Sequence, residues 1–360
     1  MAYTTIDDPS AYFQTKIYTD GDATTDDTTS QTFDGNSNLQ PDWIWFKSRN
    51  VVGNHGIMDT SRGLNKVLKP NATNSEATSV SGYDLLSMDS NGFSYGRPNQ
   101  LDWAHSNPAQ NVVWAWKCNG GTTSSNTSGD ITTTVQANTT AGFSIFTYTG
   151  TGTTGDTIGH GLGAVPDWIW IKARSIANDQ TIYHSANTSA PETDFLILQG
   201  TDATSDSDTR WNDTAPTSTL ITLGNNAGVN GSTQTYVGYA FAEKQGYSKF
   251  GSYTGISNDD GAFVYTGFAP AWVMIKRTDT AKNWYIFDNK RPGYNVINRL
   301  IAPNLSDAEV DGSEKIDLLS NGFKLRQSFT HTNTDGGTFI YMAFAEHPFV
   351  SSEGVPTTAR

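Results

Sequence analysis

Six histidines, His55, His105, His160, His184, His331 and His347, and several close Asp pairs are the residues of this chain best suited to acid–base or metal chemistry. No His-Glu-x-x-His, Gly-x-Ser-x-Gly elbow, P-loop or dinucleotide fingerprint accompanies them. Asp20, Asp22, Asp26 and Asp27, the pair Asp206 and Asp208, and Asp259-Asp260 could offer oxygens to Ca²⁺, but without an EF-hand spacing they read as solvated loop acids. Asp42 and Asp167 each follow a proline at a strand entrance, and Ala271 stands at the corresponding point further on, which favours a turn role over glycoside-cleaving acids. Asp59 with Arg62 and Asp288 with Arg291 share one spacing. Such a pair either locks its own turn or contacts a ligand. No catalytic residue, metal or cofactor is assigned, and the chain is not expected to be an enzyme.

The aromatic residues offer a second kind of chemistry, stacking against sugar rings. Trp43, Trp45, Trp168, Trp170 and Trp272 alternate with aliphatic residues, so they share one face of a strand. Burial of both faces is the favoured reading. Trp103, Trp211 and Trp284 sit among polar neighbours and are expected to be exposed. The candidate ligand contacts are therefore Trp211, Asn212, Trp103, His105, Arg62 and Arg291.

These residues are positioned by a repeat. Pro166-Asp167-Trp168-Ile169-Trp170-Ile171-Lys172 echoes Pro41-Asp42-Trp43-Ile44-Trp45-Phe46-Lys47 and, more loosely, Pro270-Ala271-Trp272-Val273-Met274-Ile275-Lys276, at intervals of 125 and 104 residues. Asp84-Leu85-Leu86-Ser87 with Asn91-Gly92-Phe93 recurs as Asp317-Leu318-Leu319-Ser320 with Asn321-Gly322-Phe323, while the middle copy keeps only a blurred Ser218 to Thr222. Each copy closes on an alternating aromatic strand, Trp114-Ala115-Trp116-Lys117, Ala240-Phe241-Ala242-Glu243 and Ala343-Phe344-Ala345-Glu346. A period this long means duplicated domains, not a solenoid. The expected organisation is an arm at 1–11, modules at 12–118, 142–246 and 247–349, a Gly/Ser/Thr linker at 119–141 and a tail at 350–360.

Short aromatic and β-branched runs between Gly, Asn and Asp turns predict an all-β chain of tandem antiparallel β-sandwiches, jelly-roll-like. Only Leu64 to Leu68 and Ser306 to Val310 suggest a helical turn or two. The tail is expected to be disordered or to hold a neighbouring subunit. A net charge of −13 with 16% charged residues argues against nucleic acid as a partner. No apolar run is long enough for membrane insertion, and Met1 to Asp8 carry no export signal. Cys118 is the sole cysteine, which excludes an internal disulfide.

The Pro-Asp-Trp-Ile-Trp-Ile-Lys strand, the Asp-Leu-Leu-Ser and Asn-Gly-Phe hairpin, the closing strands and the final Gly-Val-Pro-Thr-Thr-Ala-Arg resemble virion structural, tail-fibre-like proteins of marine bacteriophages, chiefly those of cyanobacteria. The resemblance runs from about Tyr12 to Arg360 and brings no catalytic residues with it. It implies a protein assembled in the host cytoplasm that works on the virion. The expected function is a tail-associated fibre or host-recognition protein, homo-oligomeric and by analogy with other phage fibres trimeric, that binds other virion proteins and a host-surface polysaccharide or protein. A capsid decoration or capsid-fibre protein and a glycan depolymerase are the alternatives.

Overall fold

A computed structural model describes residues 3–19, 28–97 and 109–356. The chain is nearly all β, in several antiparallel sheets. One strand order recurs in three places. Phe13–Thr19, Gln110–Trp116, Trp43–Ser48 and Gly56–Asp59 form the first array, and Ser248–Thr254, Thr338–Pro348, Phe268–Arg277 and Trp284–Asp288 form the last. The middle array, Phe143–Thr149, Thr235–Phe241, Trp168–Ala173 and Gln180–His184, lies inside an eight-stranded sheet. Register matches as well, with Trp43 opposite Trp116, Trp168 opposite Phe241 and Trp272 opposite Phe344.

The period-2 alternation of the Trp strands assigns each side chain to one of two cores. Ile44 and Phe46 pack with Leu85, Phe93 and Tyr95; Ile169 and Ile171 with Ile158 and Ile221; Val273 and Ile275 with Leu318 and Phe323. Each array thus buries its aliphatic face under a smaller sheet of its own. The hairpins of those smaller sheets need Gly92 and Gly322, where a Cβ would lie 2.0 Å from the Gln31 oxygen and 2.1 Å from the Val264 oxygen. In the middle segment the small sheet shrinks to Thr157–Gly159 with Leu220–Thr222, which accounts for its blurred sequence.

The tryptophan faces of all three arrays turn inward to a single shared core containing Trp43, Trp45, Trp114, Trp116, Trp168, Trp170, Trp272 and Trp284. At its centre Trp116, Phe241 and Phe344 hold the same register position in their arrays and meet one another. Their ring centroids are 6.5 Å (Trp116 to Phe241), 5.5 Å (Phe241 to Phe344) and 5.4 Å (Phe344 to Trp116) apart. The three segments are therefore clustered around an axis, not strung in a line.

Several expectations are corrected. The segment 119–141 is not a free linker, because Ser124–Asn126 and Thr133–Asn138 extend the middle sheet and bury Ile131 and Val135 in its core. Gln136, also buried, donates from Nε2 to Thr60 Oγ1 and Ser61 Oγ at 2.9 Å each. Neither suggested helical stretch is a helix, and the α-helical turn found among the described residues is Asp208–Trp211. The described part of the tail folds back on the chain's own arm, where Ser352 N donates to Asp7 Oδ1 at 2.6 Å. The arm in turn buries Thr4 and Ile6 and donates from the Tyr3 hydroxyl to Gly267 O at 2.8 Å.

Candidate functional site

The polar side chains that recur in the sequence gather at the seams between the three arrays. The lysine closing each Trp strand lies on the inward face and is fully buried. Lys47 Nζ donates to Gly53 O and Ser306 O (2.8 and 3.0 Å), Lys172 Nζ to Asn178 O and Thr73 O (2.6 and 2.8 Å), and Lys276 Nζ to Lys282 O and Thr201 O (2.7 and 2.9 Å). One acceptor is always local and the other always belongs to a neighbouring segment. The first segment reaches the last, the middle reaches the first, and the last reaches the middle. Backbone bonds repeat the cycle from Gly53 to Ser306, Asn178 to Thr73 and Lys282 to Thr201. Two residues further along, His55 Nε2 bonds Ala302 O, Gln180 Nε2 donates to Pro70 O and Trp284 Nε1 donates to Ile197 O. Burial draws the Lys47, Lys172 and Lys276 amines down to about 8.

Two of the seams add buried ion pairs. Arg62 Nε meets Asp59 Oδ2 at 2.5 Å and Arg62 NH1 meets Glu76 Oε2 at 2.9 Å; Glu76 then crosses to Arg174 at 2.8 Å. The Tyr239 hydroxyl donates to Asp59 from the middle array at 2.8 Å. Burial pushes the Glu76 carboxyl up, but its bonds to Arg174 and Arg62 outweigh that and hold it below its ordinary value. The other seam matches: Arg291 joins Asp288 and Glu309 at 2.6 and 3.3 Å, Glu309 reaches Arg49 at 2.8 Å, and Trp114 Nε1 donates to Asp288 at 3.0 Å. At the third seam His184 takes the aspartate's place, donating from Nε2 to Tyr341 O at 3.0 Å while Nδ1 accepts from Ala186 N. Burial brings its imidazole down to about 4, so it is neutral at pH 7.

The sequence candidates fare unevenly. Arg62 and Arg291 are buried and engaged with carboxylates as turn-locking pairs. Trp211 is a correction: it is 2% exposed, its Nε1 donates to Asp194 O at 3.0 Å, and its ring meets Tyr183 edge-on. Its polar flanks are the caps of a single helical turn, with Ser207 at the N-terminus and Asn212 at the C-terminus in a left-handed conformation (φ 53°). Asn212 thus has a structural task. Trp284, also expected outside, is buried at a seam. Trp103 and His105 lie outside the described residues, as do Asp20 to Asp27. Asp42 has the turn role read for it, accepting from Cys118 N, Gly120 N and Gly121 N at 2.7, 2.9 and 2.7 Å. Asp167 likewise accepts from Glu243 N at 2.8 Å. Among the described residues no three His, Cys, Asp or Glu side chains converge as a metal site. The sequence signals nothing for Glu76 and Glu309 beyond their place after an Asp-x-x-Arg turn.

What this arrangement does chemically is hold three sheets together, with the opposite surface outward. Exposed aromatics mark that surface, with Tyr294 78% exposed and Phe263 and Tyr265 about half exposed on an edge strand. No curated protein and no solved structure matches the chain. A family profile does match, over residues 8–348, and the chain accordingly belongs to the family described as a domain of unknown function, DUF7483.

Proposed function

We propose that this chain is a bacteriophage virion structural protein, a tail-associated fibre or host-recognition protein that binds a cell-surface glycan or protein. In this reading the segments 12–118, 142–246 and 247–349 are three copies of one jelly-roll-like β-sandwich, closed into a single body. The supporting observation is the closure of three tryptophan faces on one core, with the recurrent Lys, Arg, Asp and Glu side chains spent on the seams. Such a body offers rigid loops and edges for recognition. Assembly with other virion proteins and with copies of itself, as a trimer, belongs to the same proposal. The resemblance to marine-phage virion proteins supplies the setting.

Capsid decoration is the second reading. It is favoured by the compact, internally threefold arrangement, which has no elongated shaft among the described residues. Adsorption of the labelled protein to intact host cells, compared with its binding to virions that lack it, tests both. Saturable binding to cells that blocks infection supports host recognition. Binding to particles alone supports decoration, and binding to neither refutes the proposal.

A further inference from the structure

A cleft of about 170 Å³ opens where the first segment's edge strand meets the last array. Its origin lies in one departure from the repeat. In the first two copies the aspartate after proline takes a hydroxyl bond from the opposite strand end, Thr60 Oγ1 to Asp42 and Ser185 Oγ to Asp167, both at 2.9 Å. The backbone bonds Thr60 N to Asp42 O and Ser185 N to Asp167 O recur as Asn289 N to Ala271 O, so Asn289 and Ala271 are the matching pair. Ala271 has no carboxylate. The Asn289 side chain, 7% exposed, consequently has no hydrogen-bond partner among the described residues, and it lines the cleft.

A partnerless amide on the wall of a cleft calls for a ligand that can both donate and accept. The charge on the walls narrows its class. Lys290, the lysine of the lining, is tied to Asp34 at 3.0 Å, and Lys16 holds the same carboxylate at 3.3 Å. An anion therefore meets a lysine that is already paired, beside the carboxylates of Asp34 and Glu346. Phe13, Ala271 and Ala345 supply apolar floor beside the amides. The volume is below the roughly 300–1,000 Å³ of drug-sized pockets and suits one small ring. Asn289 also borders a second depression, lined by Ile297, Leu318 and the exposed Tyr294, where a further ring could stack.

We propose that this cleft binds a single neutral sugar residue, with Asn289 as its hydrogen-bonding contact and Tyr294 as the platform for the next unit of a chain. The proposal deepens the host-recognition reading and rests on it for its biological meaning. The test is saturation-transfer NMR of the full chain with methyl glycosides of neutral hexoses, deoxyhexoses and N-acetylhexosamines. At least one glycoside is expected to give a saturable, millimolar signal. Asn289→Ala should weaken it about tenfold, as loss of one good hydrogen bond does. Ala271→Asp, which restores the carboxylate of the other copies and fills the cleft, should abolish it. The absence of a saturable signal from every glycoside, or a signal that survives Ala271→Asp in a folded protein, would overturn the proposal. Cell adsorption measured on the same variants separates the two claims: binding to cells that Ala271→Asp leaves unchanged, with no glycoside signal, keeps host recognition and removes the cleft.

Discussion

Replacing Trp116 with alanine probes the shared core at its centre. The ring lies 4.8 Å from Phe13 and 4.5 Å from Trp43 in its own segment, 6.5 Å from Phe241 in the middle one, and 5.8 and 5.4 Å from Trp272 and Phe344 in the last. Truncating a buried tryptophan costs about 3–5 kcal/mol, because the transfer energy is lost and the cavity closes only in part. Trp116 Nε1 is buried without a partner, so its removal gives back part of that, on the order of 1 kcal/mol. The expected net loss is about 3 kcal/mol, read as a drop in the urea midpoint at unchanged m-value. Trp116→Phe keeps most of the ring and drops the orphaned donor, so it should cost under about 1.5 kcal/mol. Hydrogen exchange supplies the decisive readout. Protection should fall in Thr338–Pro348 and Thr235–Phe241 as well as in Gln110–Trp116. A loss below about 1 kcal/mol, or exchange changes confined to residues 12–118, would refute the shared-core argument.

Other expectations follow from the seams. Lys47, Lys172 and Lys276 have folded-state values near 8, below their unfolded value of roughly 10.4, so the unfolded chain binds more protons between those limits and stability should rise with pH across that window. Urea midpoints from pH 7 to 10 check this, and Lys172→Met should flatten the rise by about one third; a midpoint that falls over pH 8 to 10 contradicts it. At the acid end His160 and His184 are held down to about 4, so stability should decline as pH drops from 6.5 toward 4, and His184→Gln should reduce that slope. Glu309→Gln weakens bonds to both Arg49 and Arg291 and should cost about 3 kcal/mol, with a double-mutant cycle against Arg49→Met showing coupling above about 1 kcal/mol. Trp211→Ala should lower stability by about 3–5 kcal/mol, while Trp211→Phe leaves glycan binding as it was.

Much of the fold is legible in the residues. Pro-Asp-Trp and its echoes fix the repeat, and strict alternation separates a tryptophan face from an aliphatic face. What covers the tryptophan face is not legible, because register along one strand says nothing about which sheet lies 10 Å away. The segment 119–141 misleads through composition: Gly, Ser and Thr read as spacer, yet Ile131 and Val135 sit at alternating positions with Thr133 and give it a buried apolar face. Trp211 misleads through its neighbours, since cap residues are polar whether or not the residue between them is exposed. Arg62 and Arg291 are legible as partners of Asp59 and Asp288, three residues back. Their bonds to Glu76 and Glu309 depend on loops that the seam brings close. For the cleft, the change from Asp to Ala271 is visible in sequence, but its consequence for Asn289 requires the strand end to be placed opposite.

The central claim is that three tryptophan faces share one core, so the segments cannot unfold separately. Scanning calorimetry of the full chain tests it most directly. The account predicts one transition with van't Hoff and calorimetric enthalpies that agree. A calorimetric enthalpy about three times the van't Hoff value, the signature of three independent domains, would contradict it.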